Sequence, residues 1–231
     1  MQPPRRRDDL DPLPHQAEWP SLRSAFGRVD IHSLAAFWVR ETRVSGAYLE
    51  FGVGAGRSAV AALRANLRDN PATVGPFVLF DSFQGLPPLQ AKDVGSAQFK
   101  AGDFAYSQEQ VQAFLSRHGI PESAPVRFVP GWFEESLRAF RAADHQISRA
   151  AIVHIDVDLH ASCRVVLEFV TPLLQEGTVI LMDDWNAFAA SDQRGERAAT
   201  REWLLQHPEI RLHDYARYGW HGQAFTVERI A

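Results

Sequence analysis

Two stretches of this 231-residue chain concentrate carboxylates where buried strands should end: His154-Ile155-Asp156-Val157-Asp158-Leu159-His160 and Leu181-Met182-Asp183-Asp184-Trp185. The runs before them, residues 150–153 and 178–182, are mostly apolar and read as strands of a sheet interior. Like charges gathered at such ends repel one another and are costly to desolvate. A hard divalent cation offsets both effects, because Mg²⁺ is commonly held by one or two carboxylates together with waters and substrate oxygens. Any one of these Asp residues would serve equally well as a helix N-cap. Two clusters favour a cation site over capping. His154 and His160 alternate with Asp156 and Asp158 at spacing two, so all four would share a side if the strand continued. Either histidine is an alternative proton acceptor. His154 reads better as a core or sheet-end residue, and His160 as the first residue of a helix at the rim.

The second chemical signal is a glycine-rich turn between Tyr48 and Ser58. An apolar strand carrying Glu50 runs into Gly52, Gly54 and Gly56, and an Ala-rich helical stretch follows. Glycines let a ligand approach the backbone, and a helix start offers unpaired N–H groups. Nucleotide, phosphate and nicotinamide binders all use such turns. The spacing here is G-x-G-x-G, whereas the dinucleotide fingerprint is G-x-G-x-x-G with an acid about 20 residues on. The next strand-end acid is Asp81, 25 residues after Gly56. Glu50, which has no place in that fingerprint, suits the cationic amino-acid end of S-adenosylmethionine, and Asp81 suits its ribose hydroxyls.

The elements that must position these groups alternate along the chain. Strands are expected at residues 47–51, 76–80, 126–129, 150–155 and 178–182. Helices are expected at 31–42, 57–68, 108–118, 134–143, 161–174 and near 193–206, and an antiparallel pair at 211–215 and 223–229 closes the chain. Alternation of this kind predicts a mainly parallel sheet covered on both faces, with ligands outside the carboxyl ends of its strands. Glu50, Gly52, Asp81, Gly131, Trp132, Asp156, Asp158, Asp183 and Asp184 all fall at or next to those ends. Residues 82–106 have no period and hold five Gly or Pro residues. A segment that long is commonly functional, and it is expected to form a lid. Residues 1–20 carry five prolines and read as a flexible arm, which leaves 21–231 as one domain.

Composition narrows the function classes. A net charge of −4 gives no footprint for nucleic acid, and no apolar stretch is long enough for a signal peptide or a membrane span. The single cysteine, Cys163, excludes an internal disulfide framework and reads as a core filler. The expectation is a cytoplasmic protein that binds neither nucleic acid nor membrane and is compatible with a homodimer. An NAD-dependent oxidoreductase would leave the Asp183–Asp184 pair without a role, and an inactive cofactor-binding scaffold would not need the acids.

Residues 49–58, 80–87 (Phe-Asp-Ser-Phe-Gln-Gly-Leu-Pro), 101–104, 131–133 and 154–159, with Asp183-Asp184-Trp185, resemble the macrocin O-methyltransferase family in motif and in order. The resemblance spans roughly residues 47–186, and the Asp-Ser-Phe-x-Gly-Leu-Pro block is its most specific part. It implies a Rossmann-like, doubly wound α/β fold of the class I methyltransferase type, mainly parallel with a reversed last strand. It further implies methylation of a small-molecule hydroxyl, often on an antibiotic deoxysugar, using S-adenosylmethionine and Mg²⁺ or another divalent cation. By the same resemblance Asp156, Asp183 and Asp184 match metal ligands and Asp158 the general base, with His160 its nearest competitor. Glu50, Gly52, Gly54, Gly56, Ser58, Asp81, Ser82, Gly131, Trp132 and Asp156 line the cofactor segment. Three positions depart from the family pattern: His160 and Trp185 stand where Tyr is common, and Glu176-Gly177 replaces Gly-Gly.

Overall fold

The central strands of this chain carry apolar residues on consecutive positions because both faces of the sheet are covered there, whereas the edge strands are partly exposed. The computed structural model describes residues 30–94 and 98–230; the arm expected over residues 1–20 lies outside them. Among the described residues the strands are β1 (Gly46–Phe51), β2 (Val74–Asp81), β3 (Val126–Pro130), β4 (Ala150–Ile155), β5 (Val179–Met182), β6 (Ile210–Tyr218) and β7 (Gly222–Arg229). They form one sheet in the order β3-β2-β1-β4-β5-β7-β6. Neighbours from β3 to β5 are parallel, while β7 runs antiparallel to both β5 and β6. This is the expected Rossmann-like, doubly wound α/β sheet with a reversed strand near the C-terminus.

The helices are α1 (Ile31–Glu41), α2 (Arg57–Asp69), α3 (Gln108–Arg117), α4 (Phe133–Ala139), α5 (His160–Val170) and α6 (Gly195–Gln206). Period-two alternation sends β1 side chains to opposite layers. Leu49 and Phe51 join a core with Leu137 of α4, Val166 of α5 and Trp203 of α6. Tyr48 joins the other core, with Val39 of α1, Leu63 of α2 and Leu115 of α3. Cys163 is fully buried in the first of these, as a filler should be. None of the described helices is long and apolar enough to cross a membrane.

Two helix ends differ from expectation. The helix expected over 161–174 stops at Val170, and residues Thr171–Leu173 tighten into a 3₁₀ turn containing Pro172. Proline cannot supply the N–H that a continuing helix needs. The helix expected over 134–143 stops at Ala139, which lets Phe140 turn inward against Phe80 at a centroid distance of 5.1 Å.

Sheet order fixes where chemistry can occur. The chain runs outward from β1 to β3, then returns across β1 to β4, so the switch point lies between β1 and β4. Ligands of such sheets bind in the crevice at that point. The glycine turn follows β1 and the Asp156–Asp158 turn follows β4, directly beside it.

Candidate active site

The turn after β1 is built for close approach. Gly52 has φ +81°, and a Cβ placed there would lie 1.8 Å from the Asp156 carbonyl oxygen. Only glycine lets the ends of β1 and β4 come this near. Gly56, at φ +87°, sits at the N-cap of α2. Asp81, at the end of β2, ties this turn down: its Oδ2 accepts from the N–H groups of Val53 at 2.7 Å and Gly54 at 3.2 Å, and its Oδ1 from Phe83 at 2.7 Å. Burial pushes the Asp81 carboxyl above its ordinary range against those three bonds. Ser82 donates to the Gly85 carbonyl at 3.0 Å, and the Gly131 N–H donates to the Asp81 carbonyl at 2.9 Å. Trp132 follows as the N-cap of α4.

Glu50 does not present itself to a ligand as the sequence suggests. It is fully buried, with Oε2 accepting from the Tyr48 hydroxyl at 2.7 Å and Oε1 from the Ser58 hydroxyl at 2.6 Å. Burial alone would raise this carboxyl; His154, whose Nδ1 is 3.9 Å away, and the two hydroxyls carry it below its ordinary value. The physical reason is strand parity: Glu50 shares the Tyr48 face of β1 and meets the first turn of α2 there. Its effect is to hold Ser58 and the helix start in place.

The acidic strand ends converge. The Asp156 N–H donates to the Phe51 carbonyl and the Asp183 N–H to the Ile155 carbonyl, both at 2.9 Å, so the ladder carries on one residue past β4 and β5. Carboxylate oxygens of Asp156, Asp158 and Asp184 lie within 4.8 Å of one another, and so do ligand atoms of Asp183, Asp184 and His221. Asp184 belongs to both groups and is almost fully buried. The strand does not continue through this stretch, so His154, Asp156, Asp158 and His160 do not share a side. Asp158 adopts φ +59°, and the Leu159 N–H donates to the Val157 carbonyl, which closes a tight turn. His154 stays in the core with its ring edge-on to His32 at 5.1 Å. His160 opens α5, with Nε2 3.0 Å from Glu202 and 3.4 Å from Lys92. It is therefore a partner of α6 and of the long loop, and is not among the residues of either carboxylate group.

Three residues of this site escaped the sequence reading. His221 lies in the β6–β7 turn; its Nδ1 donates to the Asp183 carbonyl and sits 3.9 Å from Asp184 Oδ1. The Tyr218 hydroxyl, buried nearby, is pushed well up by burial and then by Asp183 and Glu196. Glu196, in the first turn of α6, is fully buried and its Oε2 accepts from the Asp184 N–H at 3.2 Å. Its Oε1 has no hydrogen-bond partner. Burial first, then Asp184 and Asp183, raise its carboxyl well above the usual range. The carboxylates converging here, with the buried Glu196 beside them, present hard oxygen donors that fit a divalent ion such as Mg²⁺. One signal was readable: a β-strand antiparallel to β5 must begin at the carboxyl end of the sheet, which puts the turn before Gly222 on the active rim.

The loop over 82–106 has no described helix or strand, yet Asp93 and Phe99 are buried. Leu86, Leu89, Phe99 and Phe104 pack with Leu159 and Phe188, so the segment lies against the acidic turn. The departures from the family pattern have plain roles. Trp185 packs on Phe225 at 4.8 Å, with Arg197 over its ring at 5.0 Å, and Glu176 accepts from the Arg229 N–H at 2.9 Å.

A family model described as macrocin-O-methyltransferase matches residues 11–204. An 8-demethyl-8-(2,3-dimethoxy-alpha-L-rhamnosyl)-tetracenomycin-C 4'-O-methyltransferase of Streptomyces olivaceus is 30% identical over 192 residues, covering 80% of this chain and 71% of that protein. A demethyldecarbamoylnovobiocin O-methyltransferase of Streptomyces niveus is 29% identical over 153 residues, 62% of this chain; the match spans only 53% of that relative's length. The crystal structure of CalS11, a calicheamicin methyltransferase, superposes with a TM-score of 0.71 at 21% identity, over 93% of this chain and 80% of the other.

Proposed function

The chain belongs to the macrocin O-methyltransferase family and is an O-methyltransferase, and from that premise we propose that it moves the methyl group of S-adenosylmethionine onto a hydroxyl of a sugar-bearing natural-product intermediate, with a divalent cation held by Asp156, Asp183 and Asp184. The observation that carries the reading is the convergence of the acidic strand ends beside the glycine turn: oxygens of Asp156, Asp158 and Asp184 lie within 4.8 Å of one another, ligand atoms of Asp183, Asp184 and His221 do so too, and Asp184 joins the two groups. The acceptor class follows the relatives, since the Streptomyces olivaceus protein is named for a rhamnosyl 4'-hydroxyl.

A neutral alcohol is a poor nucleophile, so its proton must leave as the methyl group arrives. A divalent cation held by these acids would supply Lewis acidity toward the hydroxyl. Asp158 takes that proton on a carboxylate oxygen; it is nearly buried and held at the mouth of the turn. Asp156, Asp183 and Asp184 provide the oxygens that hold the cation, and Glu196 fixes Asp184 through its backbone N–H. His221 borders the same acids from the β6–β7 turn. Gly54, where a Cβ would meet nothing within 4 Å, leaves room for the cofactor at the start of α2, while Gly52 and Gly56 let β4 and α3 pack close to the turn; Asp81 and Ser82 lie on the ribose side and Gly131 and Trp132 beside the adenine. Glu50 and Ser58 brace that cradle from within. The segment 82–106 covers the crevice and keeps water from the transferring group.

Calorimetry with S-adenosylhomocysteine and with NAD, each with and without Mg²⁺, tests the class. S-adenosylhomocysteine should bind and NAD should give no heat. Binding of NAD in place of S-adenosylhomocysteine would assign the glycine turn to oxidoreductase chemistry.

A further inference from the structure

We propose that Asp93 is a positioning residue for Asp158: from the long segment between β2 and α3, its carboxylate clamps the far end of the turn that holds Asp158, so that docking of the segment and setting of the proton acceptor are one event. This rests on the assignment of Asp158 as base.

Asp158 sits at φ +59°, a conformation that residues with a Cβ rarely adopt. Such strain persists only where the surroundings over-determine it. On one side the sheet does this, through the Asp156 N–H to Phe51 carbonyl bond of 2.9 Å. On the other side α5 begins at His160, and its N-cap residue Leu159 offers no side-chain cap. The His160 N–H is therefore one of the orphan donors of a helix start. Asp93 satisfies it: Oδ1 accepts that N–H at 2.7 Å from a position 67 residues away in sequence.

A carboxylate is favoured at a helix N-terminus, but burying one is costly unless it is well paired. Asp93 is fully buried and is paired on both oxygens, since Oδ2 accepts from the Gln90 N–H at 3.3 Å. Lys92 extends the grip to α6: its carbonyl accepts from the Gly195 N–H at 3.4 Å, and its ammonium pairs with Glu202, which also faces His160. Leu86 and Leu89 pack in the cluster that contains Leu159. The residues after Asp158 are thus held by the segment as well as by their own helix. An ordinary helix cap from the preceding residue would have done this locally. A cap delivered by a remote loop makes the turn depend on that loop.

The test compares Asp93→Ala, which removes both acceptors, with Asp93→Asn, which keeps an oxygen for the His160 N–H. Asp93→Ala should lower kcat by about 10- to 100-fold, the scale of a catalytic group misplaced by ~1 Å. S-adenosylhomocysteine affinity should stay unchanged, and amide exchange over residues 156–163 should accelerate. Asp93→Asn should recover most of kcat. Placed in an Asp158→Asn background, Asp93→Ala should cost nothing further, because groups that act through one another are not additive. A normal kcat in Asp93→Ala, or a full additional loss in the double variant, would overturn the proposal. If Asp93→Ala does not fold, wild-type exchange carries the test: a His160 amide that exchanges freely refutes the clamp, and one as slow as the interior of α5 supports it. An active Asp158→Asn would sink the base assignment alone, since exchange at 156–163 still judges Asp93.

Discussion

Replacing Asp184 by Asn should lower methyl transfer by on the order of 10³-fold, because a bound metal contributes several kcal/mol of transition-state stabilisation and each 1.36 kcal/mol is a factor of ten. Asp184 is chosen over its neighbours because it alone joins both groups of converging ligand atoms. The substitution preserves shape. It also spares the Glu196 contact, which reaches the Asp184 backbone and not its side chain. Asp183→Ala should act in the same direction through the His221 side of the site. Neither change touches the glycine turn, so binding of S-adenosylhomocysteine should be preserved in both. The check is a pair of titrations on each purified variant: divalent metal by calorimetry and S-adenosylhomocysteine by the same method. Loss of cofactor binding along with turnover would mean that Asp184 serves the fold or the cofactor, not a metal.

Asp158→Asn should lower kcat by about 10²- to 10⁴-fold, the usual effect of removing a general base. It should keep its fold and its metal. The contrast with Asp184→Asn lies in the metal titration, which should be normal here and weakened there. His160→Gln supplies the control. In the structure the His160 ring turns to Glu202 and Lys92, while the clamp from Asp93 reaches its backbone N–H, so the substitution should remove the ring contacts, keep the clamp and leave most turnover intact. A fully active Asp158→Asn beside a dead His160→Gln would transfer the proton-accepting role to the histidine.

The parts of this fold that were legible in the sequence are those written in local pattern. Glycines 52, 54 and 56 need a turn, and the apolar runs ending at Phe51, Phe80, Ile155 and Met182 need a sheet covered on both faces. Carboxylates at three of those ends, Asp81, Asp156 and Asp183, then fall on one rim by the geometry of parallel strands. What the sequence hid depends on partners far away in the chain. Glu196 sits in the polar run Asp192-Gln193-Arg194-Gly195-Glu196 and reads as solvated, yet α6 packs its first turn over the acidic rim and buries it completely. Asp93 stands in a segment without period, and only the fold reveals that His160 lacks a cap of its own. Asp158 has no glycine beside it to announce its left-handed backbone, so spacing alone does not show where the two-residue alternation breaks. Glu50 lies next to the glycines in sequence, but its face of β1 points it at Ser58. In each case the side chain's role was set by a tertiary contact to which neither propensity nor spacing refers.

Metal-assisted transfer from S-adenosylmethionine at the Asp156, Asp183 and Asp184 site is tested most directly by turnover of the chelator-treated enzyme. Transfer of an isotopically labelled methyl group to a panel of rhamnosylated natural-product acceptors would be measured in excess chelator and again after Mg²⁺ is restored. The account predicts loss of transfer in chelator and its recovery with Mg²⁺ in the wild type, with no recovery in Asp184→Asn. Full transfer in excess chelator would contradict it.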